Sequence, residues 1–93
     1  MAQKKQSRRE QYRAIMEKEG VTDYKIVAFS FENEHGPELF HYELMWPLRP
    51  VYHLFDCYGN VAVVLIPKDR ENEQMLMLLA ESCGGEKTIP DID

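Results

Sequence analysis

The sequence predicts an α+β fold in which a four-stranded antiparallel sheet is flanked by an N-terminal and a C-terminal helix. Two observations predict the sheet. Apolar runs rich in β-branched and aromatic residues follow one another at residues 24–32, 39–46, 51–57 and 61–67. Short segments rich in turn-forming residues separate these runs at residues 33–37, 47–50 and 58–60. A third observation predicts the helices, because capped helical patterns lie on both sides of this region.

The short connections predict how the strands are arranged. Consecutive parallel strands need a crossover of about a dozen residues or more, whereas antiparallel neighbours need only a tight turn. The expected architecture is therefore a meander, with the element order α-β-β-β-β-α.

The first helix is predicted at residues 7–19. Ser7 is a suitable N-cap, and Glu10 three residues later completes a capping box. Tyr12 and Met16 recur at helical spacing, and Gly20 is a typical C-terminal stop. The preceding residues 1–6 are expected to form a loose basic tail.

The second helix is predicted at residues 70–82. Asp69 is a suitable N-cap, and Glu71 and Glu73 suit the positive end of the helix dipole. An apolar stripe follows, and the pair of glycines at positions 84 and 85 is expected to end the helix. Residues 86–93 are polar and acidic and are expected to form a loose tail.

Both faces of the predicted sheet are apolar. Val27, Phe29, Phe31 and Phe55 are placed on one face by the strand alternation, and the run at residues 61–67 is apolar on both sides. Two short helices on one face would leave the other exposed, which predicts a homodimer or a partner interface. The alternative is that the helices divide, one to each face, and leave no sheet surface uncovered.

Size and composition describe an ordinary globular protein. The chain has 93 residues, of which 44% are hydrophobic and 29% charged, so a single domain over residues 1–93 is expected. No apolar run approaches the ~20 residues of a membrane span, and no secretory signal pattern opens the sequence. A cytoplasmic location, with Cys57 and Cys83 as free thiols, is the expectation.

The charge distribution weakens, but leaves open, a nucleic-acid function. The net charge is −5, yet residues 1–19 carry six basic and three acidic side chains. An acidic body repels phosphate over most of its surface. The alternative function is a nucleic-acid-binding module that uses an aromatic sheet face and the basic N-terminus, represented by Lys4, Lys5, Arg8 and Arg9.

No motif in the sequence predicts catalysis, a metal or a cofactor. His41, His53, Asp56 and Cys57 are suitable ligand types, but they lack the spacing of known metal or nucleophile motifs. We therefore expect a protein that is not an enzyme, with no cofactor and no metal. A further alternative is a small ligand-binding or enzymatic subunit with a site near His41, Glu43 and His53.

The segment 46–50, Trp-Pro-Leu-Arg-Pro, is the most distinctive loop. Two prolines stiffen it, and Trp46 and Arg49 are of the residue types most enriched in binding hot spots. Trp46, Arg49, Phe29, Phe31 and Phe55 are the predicted partner-binding residues, unless Trp46 merely covers the sheet edge. The expected function is that of a small cytoplasmic regulatory, adaptor or inhibitor-type protein of bacterial or phage type, acting through contacts with another protein.

Overall fold

The computed structural model describes residues 7–92. Within this range the elements are α1 (Arg8–Lys18), β1 (Lys25–Ser30), α2 (His35–Met45), β2 (Leu54–Tyr58), β3 (Val61–Ile66), α3 (Arg70–Ser82) and β4 (Glu86–Thr88). The four strands form one antiparallel sheet. The predicted α+β class and the four-stranded antiparallel sheet are therefore confirmed, and the element order is roughly as expected.

The order of strands in the sheet differs from a simple meander. The strands lie in the order β2-β3-β1-β4, so β1 and β3 are the central pair. β2 and β3 form a hairpin through the predicted turn, where Gly59 adopts a φ of 55°. In the chain, α2 and β2 lie between β1 and its sheet neighbour β3. The last strand, β4, pairs with the other edge of β1.

The predicted strand at residues 39–46 is wrong, because residues 39–45 lie in α2 and Trp46 is the C-cap of that helix. Pro37, Phe40 and Leu44 recur at helical spacing and are all buried. The side chain of Asn33 accepts a hydrogen bond from the backbone N–H of His35 at 2.9 Å. Pro37 lies in the first turn of α2, where its missing N–H removes no helical hydrogen bond.

The two predicted helices form with the expected caps. Ser7 Oγ accepts from the N–H of Glu10 in α1, and the Asp69 side chain accepts from the N–H groups of Glu71 and Asn72 in α3. Gly84, just after α3, adopts a left-handed φ of 81°. Within residues 7–92, no helix is long and apolar enough to cross a membrane.

The C-terminal segment differs from the loose acidic tail that its composition predicts. Residues 86–88 form β4, which pairs with β1 through Ala28↔Thr88 and the two following positions. Beyond β4 the chain crosses to the α1 side, where Ile92 is only 1% exposed. The predicted basic tail at residues 1–6 lies outside the described residues.

The helices cover both faces of the sheet. We define the α2–α3 core as the buried cluster Val27, Phe29, Phe31, Phe40, Leu44, Ala62, Val64, Ile66, Leu76, Leu79 and Ala80. We define the α1 core as the buried cluster Tyr12, Met16, Ala28, Val63, Leu65 and Ile92. Along β1, Val27 and Phe29 lie in the α2–α3 core and Ala28 lies in the α1 core, so successive side chains point to opposite faces as predicted. The two predicted helices divide, α1 to one face and α3 to the other, as the alternative stated above has it, and α2 packs beside α3. Within residues 7–92, the uncovered sheet face from which a homodimer was predicted is therefore not present.

A polar cluster fastens α1 to the edge strand β2. The carboxylate of Asp56 accepts hydrogen bonds from Arg8 Nη1 at 3.0 Å and from Tyr12 Oη at 2.8 Å. Burial, and then the Asp56 carboxylate, raise the pKa of Tyr12 above its usual range, so the hydroxyl stays protonated as the donor. The guanidinium of Arg8 also lies 4.4 Å from the ring centre of Tyr58.

Candidate functional site

Exposed apolar side chains concentrate on one layer of the molecule. Among the described residues nine large apolar side chains are exposed, and seven of them lie on α2, on α3 or on the loop joining α2 to β2. We call these seven residues the apolar helical surface: Leu39, Tyr42, Trp46, Leu48, Val51, Met75 and Leu78. Single exposed apolar residues are normal, but concentration on one layer is typical of an interaction site.

Helix periodicity explains the part of this surface that α2 provides. Leu39, Tyr42 and Trp46 occupy positions i, i+3 and i+7, so they project from one side of α2 and its C-cap. They are 53%, 66% and 81% exposed. Phe40 and Leu44 point the opposite way into the α2–α3 core. The helix is thus anchored by its inner side while its outer side stays open.

Two shallow depressions flank Tyr42. One, near the start of α2, is lined by Asn33, His35, Gly36, Glu38, Leu39, Tyr42 and Cys83. The other, toward the end of α2, is lined by Glu38, His41, Tyr42 and Trp46. Tyr42 and Glu38 border both depressions, so the outer side of α2 offers an apolar stripe with a carboxylate beside it.

The loop that carries Trp46 is held at both ends. The N–H of Trp46 donates to the carbonyl of Tyr42 at 2.9 Å, which continues the hydrogen-bond pattern of α2. Farther along, the side chain of Asn72 in α3 accepts from the N–H of Val51 at 3.1 Å and donates to the carbonyl of the same residue. Arg49 adopts a left-handed φ of 43°. Hydrogen bonds therefore hold the loop at both of its ends.

Replacing Asn72 with aspartate is expected to lower the free energy of unfolding by about 1–3 kcal/mol. Asn72 is buried, and the substitution replaces the donor to the Val51 carbonyl by a carboxylate oxygen. Urea unfolding followed by circular dichroism measures the change, and the fluorescence anisotropy of Trp46 should fall as the loop loosens. Gln74→Glu, at an exposed position of the same helix, is the matched control. Equal stability of the two variants would contradict the bridging role.

The two segments that contain the apolar helical surface are acidic. Residues 31–51 and 70–82, which contain it, carry seven carboxylates and two guanidinium groups, a net charge of −5. Neither segment contains a lysine, although Lys25 of β1 forms an ion pair with Glu73 of α3. The negative charge is therefore concentrated on the layer that also exposes most of the apolar side chains.

The five predicted partner-binding residues separate into two groups. Trp46 and Arg49 are exposed, so neither belongs to the core. Phe29 and Phe31 are 1% and 4% exposed and lie in the α2–α3 core, where they leave almost no surface for another protein to contact. Phe55 is half-buried against the same core. The aromatic residues of β1 are enclosed because α2 covers that face of the sheet.

The structure does not gather the candidate residues of a ligand or metal site. The ring of His41 stacks on Phe55 with 4.2 Å between ring centres, and His53 is exposed just before β2. Burial and, to a smaller extent, the Glu43 carboxylate raise the pKa of the Cys83 thiol. Glu43, the third residue of that candidate site, lies in α2, whereas His53 lies outside the helix, just before β2. Within residues 7–92, no group of three or more His, Cys, Asp or Glu could hold a metal ion.

Of the candidate nucleic-acid residues, the structure describes Arg8 and Arg9, and both make contacts within the chain. Lys4 and Lys5 lie outside the described residues. Arg8 pairs with Asp56, and the backbone N–H of Arg9 donates to the carbonyl of Ile92 at 2.8 Å. The aromatic faces of the sheet lie beneath helices, so the described part of the chain offers no open aromatic sheet for bases to stack on.

Sequence reasoning missed Leu39 and Tyr42 as surface residues. Interpreted as a strand, the segment 39–46 places them on the sheet. The signal that identifies them is the helical recurrence of Phe40 and Leu44, with Pro37 one turn earlier. A helix that remains apolar on its second side then indicates a further contact.

No family model matches this sequence, and no curated protein or solved structure is significantly similar to it.

Proposed function

We propose that this chain is a small regulatory, adaptor or inhibitor-type protein that acts by binding another protein through the apolar helical surface. The observation that carries the proposal is the placement of seven exposed large apolar side chains on one layer. The sheet does not need that surface for its own burial, because helices already cover both of its faces. An apolar area that the fold itself does not use is typical of an interaction site.

The construction of α2 suits this role. Tyr42 and Trp46 are of the aromatic types enriched in binding hot spots, and both are exposed. Phe40 and Leu44 anchor the helix in the core, and the hydrogen bond between Asn72 and Val51 holds the following loop. A surface that is already ordered loses little conformational entropy on binding, so more of the contact energy becomes affinity.

The double substitution Leu39→Ser with Trp46→Ser is expected to abolish partner binding while leaving the fold intact. Both side chains are exposed, and truncation of one hot-spot residue typically costs ~2 kcal/mol or more, a factor of roughly 30 in affinity. The measurement is affinity capture from cells of the source organism, with identification of the captured proteins by mass spectrometry. We expect one protein to be retained by the wild type and lost by the double variant.

Ile89→Ser is the matched control, because Ile89 is 93% exposed but lies after β4, outside the apolar helical surface. It should retain the partner. Trp46 is the single tryptophan, so its emission should shift to shorter wavelength when the purified partner buries it. Capture by the double variant at wild-type levels, with unchanged circular dichroism, would refute the proposal.

A further inference from the structure

We infer that the partner presents a cationic amphipathic helix to the apolar helical surface, and that a second copy of this chain is not the occupant. The inference rests on the proposed function and adds the chemistry of the partner. Its basis is the combination of an apolar stripe on α2 with the net charge of −5 on the segments that contain the surface.

Charge disfavours a symmetric pair of identical copies. A twofold dimer brings the same patch of both subunits together. Here that contact would bring together two copies of segments that carry seven carboxylates and two guanidinium groups, and one of those carboxylates, Glu73, is paired with Lys25 of β1. Like charges across an interface oppose association, whereas a cationic partner is attracted and steered toward the same surface.

The shape of the stripe favours a helix as the occupant. The stripe from Leu39 to Trp46 covers seven residue steps, or about 10 Å along α2 and its C-cap. An amphipathic helix recognises such a surface with apolar residues at positions i, i+3 or i+4, and i+7. Glu38 borders both depressions beside Tyr42, so a lysine or arginine flanking the apolar face of the partner would meet a carboxylate there.

The probe is a fluorescein-labelled amphipathic helical peptide made only of leucine and lysine, used with the full-length protein. Two control peptides have the same length. One replaces every lysine with glutamate, and the other keeps the composition but scrambles the order so that no apolar face forms. We expect saturable binding of the first peptide alone, measured by fluorescence anisotropy. The affinity should fall about tenfold or more as NaCl rises to ~1 M, where charges are screened beyond about 3 Å.

Two pairs of protein variants with equal net charge locate the binding site. Glu38→Gln with Glu71→Gln removes two exposed carboxylates beside the apolar helical surface. Glu17→Gln with Glu86→Gln removes two exposed carboxylates from α1 and β4. The first pair should weaken binding of the lysine peptide about three- to tenfold, and the second pair should weaken it less than about twofold. Leu39→Ser with Trp46→Ser should weaken it about 30-fold.

Three results would overturn the inference. They are equal binding of the glutamate peptide, equal effects of the two carboxylate pairs, and binding of the scrambled peptide as tight as that of the amphipathic one. Sedimentation equilibrium provides a fourth test. A dimer that Leu39→Ser with Trp46→Ser dissociates would make a second copy the occupant. Any of these results can occur while a captured protein still depends on Leu39 and Trp46, so failure of the inference is distinguishable from failure of the proposed function.

Discussion

Replacing Phe31 with alanine is expected to lower the free energy of unfolding by about 3–5 kcal/mol. Phe31 follows β1, and its ring is enclosed between Gly36 at the start of α2 and Gly85, the residue before β4. A Cβ added to Gly85 would lie 2.5 Å from Cε2 of this ring, and one added to Gly36 would overlap the Phe31 side chain as well. The ring therefore fills a space that two glycines leave open. The loss is a large fraction of the 5–15 kcal/mol that typically stabilises a domain.

The converse substitution, Gly85→Ala, is expected to cost about 1–3 kcal/mol by overpacking the same contact. Combining it with Phe31→Ala should cost less than the sum of the single changes, because the added methyl group then enters the space that the ring has left. Chemical denaturation of the wild type, the two single variants and the double variant measures this coupling. Additive effects would show that Phe31 and Gly85 do not share one packing site.

Ile92→Ala is expected to lower the free energy of unfolding by about 2–5 kcal/mol, despite its position one residue from the C-terminus. Ile92 is buried beneath α1 with Tyr12 and Met16. Its carbonyl accepts from the N–H of Arg9 at 2.8 Å, and the N–H of Asp91 donates to Tyr58 Oη at 3.1 Å. The segment thus holds α1 against the sheet.

Ile89→Ala removes the same atoms from an exposed position three residues earlier, and it should change stability by no more than about 0.5 kcal/mol. Hydrogen exchange should show faster exchange of the α1 amides in Ile92→Ala than in Ile89→Ala. If both variants behave alike, the C-terminal segment does not contribute to the α1 core.

The fold explains why the unused apolar area lies on helices. Each face of the sheet is buried within one chain, by α2 and α3 on one side and by α1 with Ile92 on the other. The outer side of α2 is not needed for this burial, and it exposes Leu39, Tyr42 and Trp46. The location of the surface therefore follows from how the sheet is covered, whereas its charge comes from the acidic residues of the same segments.

Local chemistry in the sequence determined the features that depend on neighbouring residues. Ser7 and Asp69 cap the two predicted helices because their side-chain oxygens accept from N–H groups within the next three residues. The tight turn around Gly59 forms the β2–β3 hairpin. The alternation along β1 places Val27 and Phe29 on one face and Ala28 on the other.

Only the tertiary structure decided the features that depend on distant residues. The segment 39–46 contains short apolar spacings that suit both a strand and a helix, and burial of Phe40 and Leu44 against Phe29 and Phe55 selects the helix. β4 is three residues long, so its pairing with β1 is not visible in its own pattern. The strand order and the exposure of Trp46 depend on which helix covers which face. That choice is made by packing between residues far apart in the chain, which local periodicity does not encode.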